Sequence, residues 1–285
     1  MTAPAIHSAG EPALPRGSHP AAASGASSLP RVTACIISLN EEDRIADCLR
    51  SVDWCDEILV VDSHSTDRTR EVAARLGARV IERDWPGHVA QKEFAIRAAA
   101  NDWVFCIDCD ERVSPRLRAE IQALREQGFP GRPGWRFPRC SNYLGRWIRH
   151  GTWYPDRQLR LFDRRRGKWA GHNPHDRVEL EGRPGELSGD LLHLPYRSLS
   201  EHLRTIDNYT TIMARGLHER GRRAGVSDLW VRPAARFLNF YFLRLGLLEG
   251  WRGFLMACLA AQYVRLKWAK LLILQRDVGP TAPPE

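Results

Sequence analysis

The sequence has no apolar segment long enough to cross a membrane as a helix. In the most apolar part of the chain, the longest uncharged run is Gly253–Val264, about a dozen residues, whereas a spanning helix needs about 20. The seven cysteines are odd in number and irregularly spaced, which indicates free thiols in a reducing compartment rather than a disulfide scaffold. The sequence does not open with a basic segment followed by an apolar one, the pattern of a secretory signal. We therefore expect a cytoplasmic protein.

The composition is that of a globular protein with a basic excess. Hydrophobic residues make up 43% of the 285 residues and charged residues 27%, which excludes a wholly disordered or collagen-like chain. The formal net charge is +8. Such an excess suits nucleic acid, an anionic membrane surface or a phosphorylated substrate, and composition alone does not choose among these partners.

Three regions differ in their residue patterns. Residues 1–30 are rich in Ala, Pro and Ser without an apolar period, so we predict a disordered tail. Residues 31–196 begin with alternating strand and helix patterns and are predicted to form a ligand-binding domain. Residues 197–285 change to long helical patterns and are predicted to end in a short disordered segment.

The alternation predicts an α/β fold with a Rossmann-like, mostly parallel sheet flanked by helices. The predicted strands are Val32–Leu39, Glu57–Val61, Ala78–Ile81 and Trp103–Ile107. Asn40 is expected to cap the first helix, with Asp43 as its capping-box partner. Ligands of such sheets bind beyond the carboxyl ends of the strands.

Residues 128–196 lose the alternation and are rich in Gly, Pro, Trp and Arg. We expect an irregular region that caps one edge of the sheet. Three short strands are predicted within it, at Trp135–Pro138, Gln158–Phe162 and Leu187–His193.

The helical third carries the basic excess. Residues 197–276 contain 14 Lys and Arg against 5 Asp and Glu, a local balance of +9. Phe237–Leu248 and Gly253–Leu274 are apolar but interrupted by charges. Two interpretations remain open: basic amphipathic helices in a membrane interface, or core helices packed on the preceding domain.

Polar residues follow three of the predicted strands. Asp108 and Asp110 alternate on extended chain after an apolar strand and can therefore face one ligand. A divalent cation such as Mg²⁺ or Mn²⁺ would relieve their repulsion and leave room for phosphate oxygens. The alternative is a solvated acidic loop. Asp62 is expected to accept hydrogen bonds from a base or ribose, whereas helix capping explains Asn40 without a ligand.

These segments together resemble glycosyltransferase family 2. The resemblance rests on Ser38–Glu41, Asp62–Asp67 and Asp108–Glu111, in the order and spacing of that family. It extends to Gln91-Lys92, to Tyr154–Phe162 and to the pair His175-Asp176. It covers the chain from about Val32 to Gln275 and is greatest with the bacterial branch of lipopolysaccharide core β-glucosyltransferases.

The resemblance implies a GT-A fold and an inverting, metal-dependent transfer from a nucleotide-sugar, with UDP-glucose as the expected donor. The nucleotide-sugar would be held by six residues: Ser38, Asn40, Glu41, Asp62, Lys92 and Asp108. Mg²⁺ or Mn²⁺ would be held by Asp108 and Asp110. Asp176 is the candidate general base, followed by Glu111 and then Asp156. A salt bridge to Arg177 or another arginine is the alternative role for Asp176.

Three positions depart from the family pattern: His64 where glycine is usual, Cys109 inside D-x-D, and Asp176 where this branch has Glu. The Q-x-x-R-W motif of processive synthases is absent from the sequence, which speaks against a polymerising enzyme. The expected acceptor is an inner-core sugar of a lipid-linked oligosaccharide, with peripheral contact to the anionic inner membrane. A polyprenyl-phosphate or other glycolipid acceptor is the alternative. Nucleic acid is not expected as a partner.

Overall fold

The computed structural model describes residues 29–172 and 175–276. The predicted tail lies outside these residues except for its last two positions, and so does the predicted disordered end after residue 276.

The first half alternates strands and helices, as predicted. Its elements are β1 (Val32–Ser38), α1 (Ile45–Ser51), β2 (Glu57–Asp62), α2 (Thr69–Arg75), β3 (Arg79–Glu82), α3 (His88–Ala98), β4 (Trp103–Cys106), β5 (Glu111–Val113) and α4 (Pro115–Glu126). Ser114 caps α4 by accepting a hydrogen bond from the Leu117 N–H, and Pro115 occupies the first helical position, where its missing N–H costs nothing.

The second half adds further strands and then helices. The strands are β6 (Gly134–Tyr143), β7 (Arg146–Trp147), β8 (Asp156–Asp163), β9 (Gly167–His172), β10 (His175–Leu180), β11 (Gly185–Glu186) and β12 (Leu191–His193). The helices are α5 (Leu199–Glu219), α6 (Val231–Leu238) and α7 (Trp251–Arg276).

One sheet organises the molecule, with the strand order β3-β2-β1-β4-β8-β6-β12-β5. The pairs β3-β2, β2-β1 and β1-β4 are parallel, whereas β8 joins β4 and β6 in antiparallel fashion. The strands β9 and β10 form a separate antiparallel hairpin. The predicted fold class, a mostly parallel α/β sheet flanked by helices, is confirmed.

The expectation of an irregular region over residues 128–196 was wrong. Two of the three short strands predicted there are parts of β6 and β8, and the third contains β12 at its end; all three observed strands extend the main sheet. β6 is ten residues long and carries a bulge between Trp135 and Arg136. The bulge and the proline at position 138 disturb the alternation of apolar and polar residues, which is the signal that a strand leaves in a sequence.

The helices cover both faces of the parallel half of the sheet. On one face, Ala34 and Ile36 of β1 pack with Leu117 and Ile121 of α4. On the other face, Cys35 packs with α3 and with the β9-β10 hairpin. This alternation along β1 is the one that an extended strand imposes. Each fully buried Leu or Ile in these layers stabilises the fold by roughly 1.5–3 kcal/mol.

The expected capping of the first helix was also wrong. α1 begins only at Ile45, and no side chain caps it. Asn40 instead has a left-handed backbone with φ of 54°, and its side-chain oxygen accepts a hydrogen bond of 2.8 Å from the Thr66 N–H. Asp43 pairs with Arg197 at 2.7 Å. Asn40 therefore ties the loop after β1 to the loop after β2.

The C-terminal helices pack on the sheet domain and on one another. Tyr143 and Ile148, from the end of β6 and the segment after it, form a core with Phe240 and Met256. Ala214 of α5 packs against α7. The segment predicted as a helix at Phe237–Leu248 is instead broken, because Leu245 has a φ of 57°. Within the described residues, no helix is both long and apolar enough to cross a membrane.

The packing bears out the core interpretation of these helices for one of their faces. Their other face exposes large apolar side chains, which the membrane interpretation requires. The domain boundary at residues 196 and 197 stays a prediction.

Candidate active site

A cleft of about 740 Å³ lies where β1 and β4 end. Six of the predicted site residues line it: Ser38, Glu41, Lys92, Asp108, Asp110 and Asp176. They come from the ends of β1 and β4, from helix α3 and from the β9-β10 hairpin. The sheet topology thus brings together residues that are up to 138 positions apart in the chain, at the edge where such sheets bind ligands.

Asp108 is held by two cations. Its carboxylate lies 3.0 Å from the Lys92 ammonium and 3.0 Å from the Arg160 guanidinium. Burial alone would raise the pKa of Asp108, but the two positive charges outweigh it and hold the pKa well below its usual range. Asp108 is therefore ionised at neutral pH, the state in which a carboxylate binds a cation.

Asp110 has fewer partners. Its Oδ2 lies 3.4 Å from Nε2 of His193, at the end of β12. His193 is fixed in turn by a contact of 2.9 Å between its Nδ1 and the Ser141 hydroxyl. The Asp110 side chain is 25% exposed, so one side of its carboxylate remains open to the cleft.

These residues fit a hard divalent cation that takes few protein ligands. Asp108 and Asp110 line the same cleft and offer only oxygen atoms. Among the side chains that the structure describes, those of residues 29–171 and 176–276, no three His, Cys, Asp or Glu converge as they would at a complete metal site. Mg²⁺ and Mn²⁺ suit two carboxylates and leave positions for phosphate oxygens, whereas structural Zn²⁺ prefers four protein ligands.

Asp176 enters the cleft from the β9-β10 hairpin. It accepts a hydrogen bond of 2.8 Å from the indole Nε1 of Trp169 and lies 3.5 Å from the Lys92 ammonium. Burial raises the pKa of Asp176. Lys92, the Trp169 hydrogen bond and Arg160 lower the pKa by more than burial raises it, so the net pKa is below the usual value. The predicted alternative, a salt bridge to Arg177 or another arginine, was wrong: Asp176 pairs with Lys92, and Arg177 pairs with Glu179.

Glu111 does not face the cleft, which contradicts its assignment as a candidate base. Its side chain is fully buried, accepts a hydrogen bond of 3.1 Å from the Asp108 N–H and pairs with Arg160 and Arg139. A base must reach the acceptor hydroxyl directly or through one water. Glu111 instead holds Arg160 and the backbone of Asp108 in place.

Asp62 also lies beneath the surface. Its carboxylate accepts hydrogen bonds from the Ser38 hydroxyl at 2.8 Å and from the Ser65 N–H at 2.7 Å, and its side chain has no exposure. Asn40 is exposed but does not line the cleft. In this arrangement Asp62 and Asn40 organise the loops after β1 and β2, and their contact with a nucleotide stays a prediction.

His64 keeps the turn after β2 that glycine would form. Its φ is 60°, in the left-handed region that glycine adopts without strain, and its ring lies 2.8 Å from the Asp84 carboxylate. Histidine in place of the family's glycine therefore does not change the backbone conformation of this turn.

Glu41 links the cleft to the C-terminal region. Its carboxylate lies 2.9 Å from Arg197, which also pairs with Asp43. Burial raises the pKa of Glu41 above its usual value, although Arg197 opposes the shift. The start of the helical region is thus fixed to the loop after β1.

Sequence reasoning missed the roles of Arg160 and His193. Arg160 was not among the predicted site residues, yet it is 4% exposed and joins Asp108 to Glu111. The available signal was the single charge of Arg160 between Leu159 and Leu161 in an apolar strand. A strand seldom buries an arginine without an acidic partner, so this pattern indicates a buried ion pair. His193 lies at the end of a predicted strand, and the ends of strands are where Ser38 and Asp108 were predicted to form the site.

The glycosyl transferase family 2 sequence model matches residues 33–178 of this chain. Among curated proteins, the chain is 33% identical over 251 residues to the lipopolysaccharide core biosynthesis glycosyltransferase LpsC of Rhizobium meliloti (strain 1021), covering 84% of this chain and 91% of the relative. It is 30% identical over 252 residues to an uncharacterised glycosyltransferase of Rickettsia typhi, covering 85% and 86% of the two chains.

Among solved structures, the chain resembles a mannosyltransferase of Pyrobaculum calidifontis determined with GDP-mannose and Mn²⁺. The TM-score is 0.52 at 14% identity, over 86% of this chain and 88% of the other. At this identity the likeness concerns the fold alone.

Proposed function

This chain belongs to glycosyltransferase family 2, and we propose that it transfers a hexose, glucose in the first instance, from a nucleotide-sugar to an inner-core sugar of lipopolysaccharide with inversion at the anomeric carbon. The observation that carries the proposal is that the pair Asp108 and Asp110 lines one cleft together with the carboxylate of Asp176.

The part of the site that binds the donor would be built around the carboxylates of Asp108 and Asp110. Asp108 and Asp110 would hold Mg²⁺ or Mn²⁺, which when bound neutralises negative charge on a diphosphate leaving group. Lys92 and Arg160 add two cations beside Asp108, where they would attract the phosphates of the donor. Ser38 and Glu41 line the same cleft and are proposed to position the nucleoside.

The acceptor hydroxyl needs a base on the face opposite the leaving group, because inversion requires a single in-line displacement. Asp176 is the proposed base. It lies in the cleft, is ionised at neutral pH because its pKa is lowered, and is oriented by the Trp169 indole. Lys92 keeps this carboxylate charged before the acceptor arrives.

The acceptor class is supported by the relative from Rhizobium meliloti, whose name places it in lipopolysaccharide core biosynthesis. The donor UDP-glucose is supported by the resemblance of the motifs to β-glucosyltransferases. GDP-mannose is the competing donor, because the mannosyltransferase of similar fold was determined with it. A polyprenyl-phosphate or another glycolipid is the second candidate acceptor, favoured by the apolar surface described next.

We also propose that the protein is cytoplasmic and lies on the anionic inner face of the membrane. Large side chains are exposed along the turn between α6 and α7 and at the start of α7: Phe242, Leu243, Trp251 and Phe254 are 50%, 76%, 60% and 52% exposed. Arg244 is exposed on the same turn. Apolar side chains mixed with arginines are the composition of a surface that enters the headgroup region.

The test of the donor site is calorimetric titration of UDP, with and without Mn²⁺, into wild type and Asp110→Asn. We expect Mn²⁺ to strengthen UDP binding in wild type and Asp110→Asn to lose most of that gain. Asp47→Asn is the control, because it makes the same change at an exposed pair with Arg50. The proposal would be contradicted if Mn²⁺ did not change the affinity for UDP or GDP in wild type or in either variant.

Transfer itself is tested with radiolabelled UDP-glucose and GDP-mannose on lipopolysaccharide from strains truncated in the inner core. The proposal expects label from UDP-glucose in the β configuration. Label from GDP-mannose alone would change the donor, and label only on polyprenyl phosphate would favour the second acceptor.

Membrane contact is tested by co-sedimentation with phosphatidylglycerol vesicles at low salt. The double variant Leu243→Ser/Trp251→Ser is expected to release the protein from the pellet. Leu76→Ser is the control, since Leu76 is an exposed leucine at the end of α2. Equal pelleting of all three proteins would show that this turn is not the contact.

A further inference from the structure

A second cavity of about 220 Å³ opens beside the catalytic cleft, between the segment after β7 and helices α5, α6 and α7. Tyr209 lines both the cavity and the cleft, so the two spaces adjoin at this side chain. Ligand sites for drug-sized molecules measure about 300–1,000 Å³. A smaller cavity joined to a larger cleft suits one ring of a substrate whose reacting part lies in the cleft.

Four of the residues that line the cavity are aromatic side chains with a polar group at the ring edge: Trp153, Tyr196, Tyr209 and Tyr263. The Tyr196 ring stacks on the His202 ring at 4.2 Å, and Trp153 lies against both. Rings with an apolar face and a hydrogen-bonding edge match a pyranose, which has apolar C–H faces and hydroxyl groups around its rim.

His202 contributes a neutral imidazole to this wall. Burial lowers its pKa to about 4, and its Nδ1 contacts the Tyr143 hydroxyl at 3.0 Å. Within the described part of the chain, no hydrogen bond is formed at its Nε2, which leaves that nitrogen for a hydroxyl group in the cavity.

Arg236 places a positive charge in the cavity. Its guanidinium donates a hydrogen bond of 3.1 Å to the Thr152 hydroxyl, and no carboxylate lies within 4.0 Å of it among residues 29–172 and 175–276. Burial lowers the pKa of Arg236, and burial together with the charges of Arg232 and Arg236 lowers that of Lys267. A half-buried arginine without an acidic partner, close to a second cation, is stabilised when an anion binds.

We propose that this cavity is an acceptor subsite, and that it takes a sugar ring bearing an anionic group, a phosphate or a carboxylate, with the anion on Arg236 and the ring against Tyr196 and Tyr209. The proposal rests on the glycosyltransferase function and specifies its acceptor. Neighbouring Leu238 is exposed on the same helix, so a lipid-anchored acceptor would reach the cavity from the surface assigned above to the membrane.

The test uses saturation-transfer NMR on protein kept saturated with UDP and Mn²⁺, so that the donor site is filled. The probes are mannose 6-phosphate, mannuronate and neutral mannose, which share one ring configuration. We expect saturable binding of at least one anionic sugar, at least tenfold weaker binding of mannose, and at least a tenfold loss in Arg236→Gln. Which anionic sugar binds better identifies the anion as phosphate or carboxylate.

Arg232→Gln is the matched control, because Arg232 lies one turn earlier on α6 and pairs with Asp228 instead. Mannose that binds as tightly as the anionic sugars, or Arg236→Gln that binds like wild type, would overturn the proposal. The measurement also separates the two hypotheses: if UDP with Mn²⁺ does not bind, the glycosyltransferase site has failed, whereas normal UDP binding without anionic-sugar binding rejects the subsite alone.

Discussion

The indole of Trp169 donates a hydrogen bond of 2.8 Å to the carboxylate of Asp176. Both side chains come from the β9-β10 hairpin, on which they lie in neighbouring strands. The hairpin is separate from the main sheet, yet Trp169 packs into the core beside α3. A carboxylate on a short hairpin is thereby held at a fixed place in the cleft.

Asp176→Asn is expected to lower kcat at least about 100-fold while UDP binding stays unchanged, because loss of a general base removes roughly 10²–10⁴ of rate. The measurement combines steady-state transfer with UDP titration. If kcat stays within a few fold of wild type, Asp176 is not the base.

Trp169→Phe tests the positioning role of the indole. The hydrogen bond favours the charged carboxylate, so its loss raises the pKa of Asp176. A base works when deprotonated, and the acid limb of the pH–rate profile should therefore move to higher pH with a smaller loss of kcat than in Asp176→Asn. A profile that keeps its acid limb in place would show that the contact does not act on the base.

Glu111→Gln is expected to act on stability. The fully buried carboxylate pairs with Arg160 and Arg139, and removing one partner of a buried pair costs about 3–5 kcal/mol. Urea unfolding should show this loss, whereas Glu71→Gln, at an exposed pair with Arg75, should change stability by less than about 0.5 kcal/mol. Unchanged stability with lost kcat would return Glu111 to the list of candidate bases.

The parallel half of the fold was predictable because its central strands are buried on both faces and read as apolar runs. VTACIIS at β1 and EILVVD at β2 are examples, and each ends at a polar residue that the sheet edge presents. The site residues at those ends followed from topology alone, since carboxyl ends of parallel strands meet.

The antiparallel half was not predictable in the same way. β6 contains a bulge at Trp135 and Arg136 and a proline, so its period of two is broken. Burial of Glu111 and Arg160 was hidden because a charge pattern does not tell which residues from distant segments will neutralise each other. Asp110 and His193 meet only because β5 pairs with β12, a contact between residues 83 positions apart.

Glu249→Ala is expected to loosen the C-terminal helices from the sheet domain. The carboxylate is 2% exposed and accepts hydrogen bonds from the N–H groups of Arg149 and His150 at 2.8 and 3.0 Å. Leaving a buried donor unsatisfied costs about 1–3 kcal/mol, so we expect a loss of at least about 2 kcal/mol in urea unfolding. Glu219→Ala, at the exposed end of α5, is the control and should be near neutral. Equal stability of the two variants would contradict an anchoring role for Glu249.

His202 should make the protein less stable in acid. Its pKa is about 4 in the folded protein against 6.5 for the ordinary side chain. Between these values the unfolded state binds more protons than the folded state, so stability is full above about pH 6.5 and falls as the pH drops towards 4. The loss from pH 7 to pH 5 amounts to about 2 kcal/mol for this one group.

His202→Gln removes the titration while keeping an acceptor for the Tyr143 hydroxyl, so its unfolding free energy should fall by about 2 kcal/mol less than that of wild type over the same interval. His218→Gln, an exposed histidine at the end of the same helix, should keep the wild-type pH dependence. Parallel pH profiles for wild type and His202→Gln would mean that the imidazole takes up a proton in the folded protein as readily as in the unfolded chain.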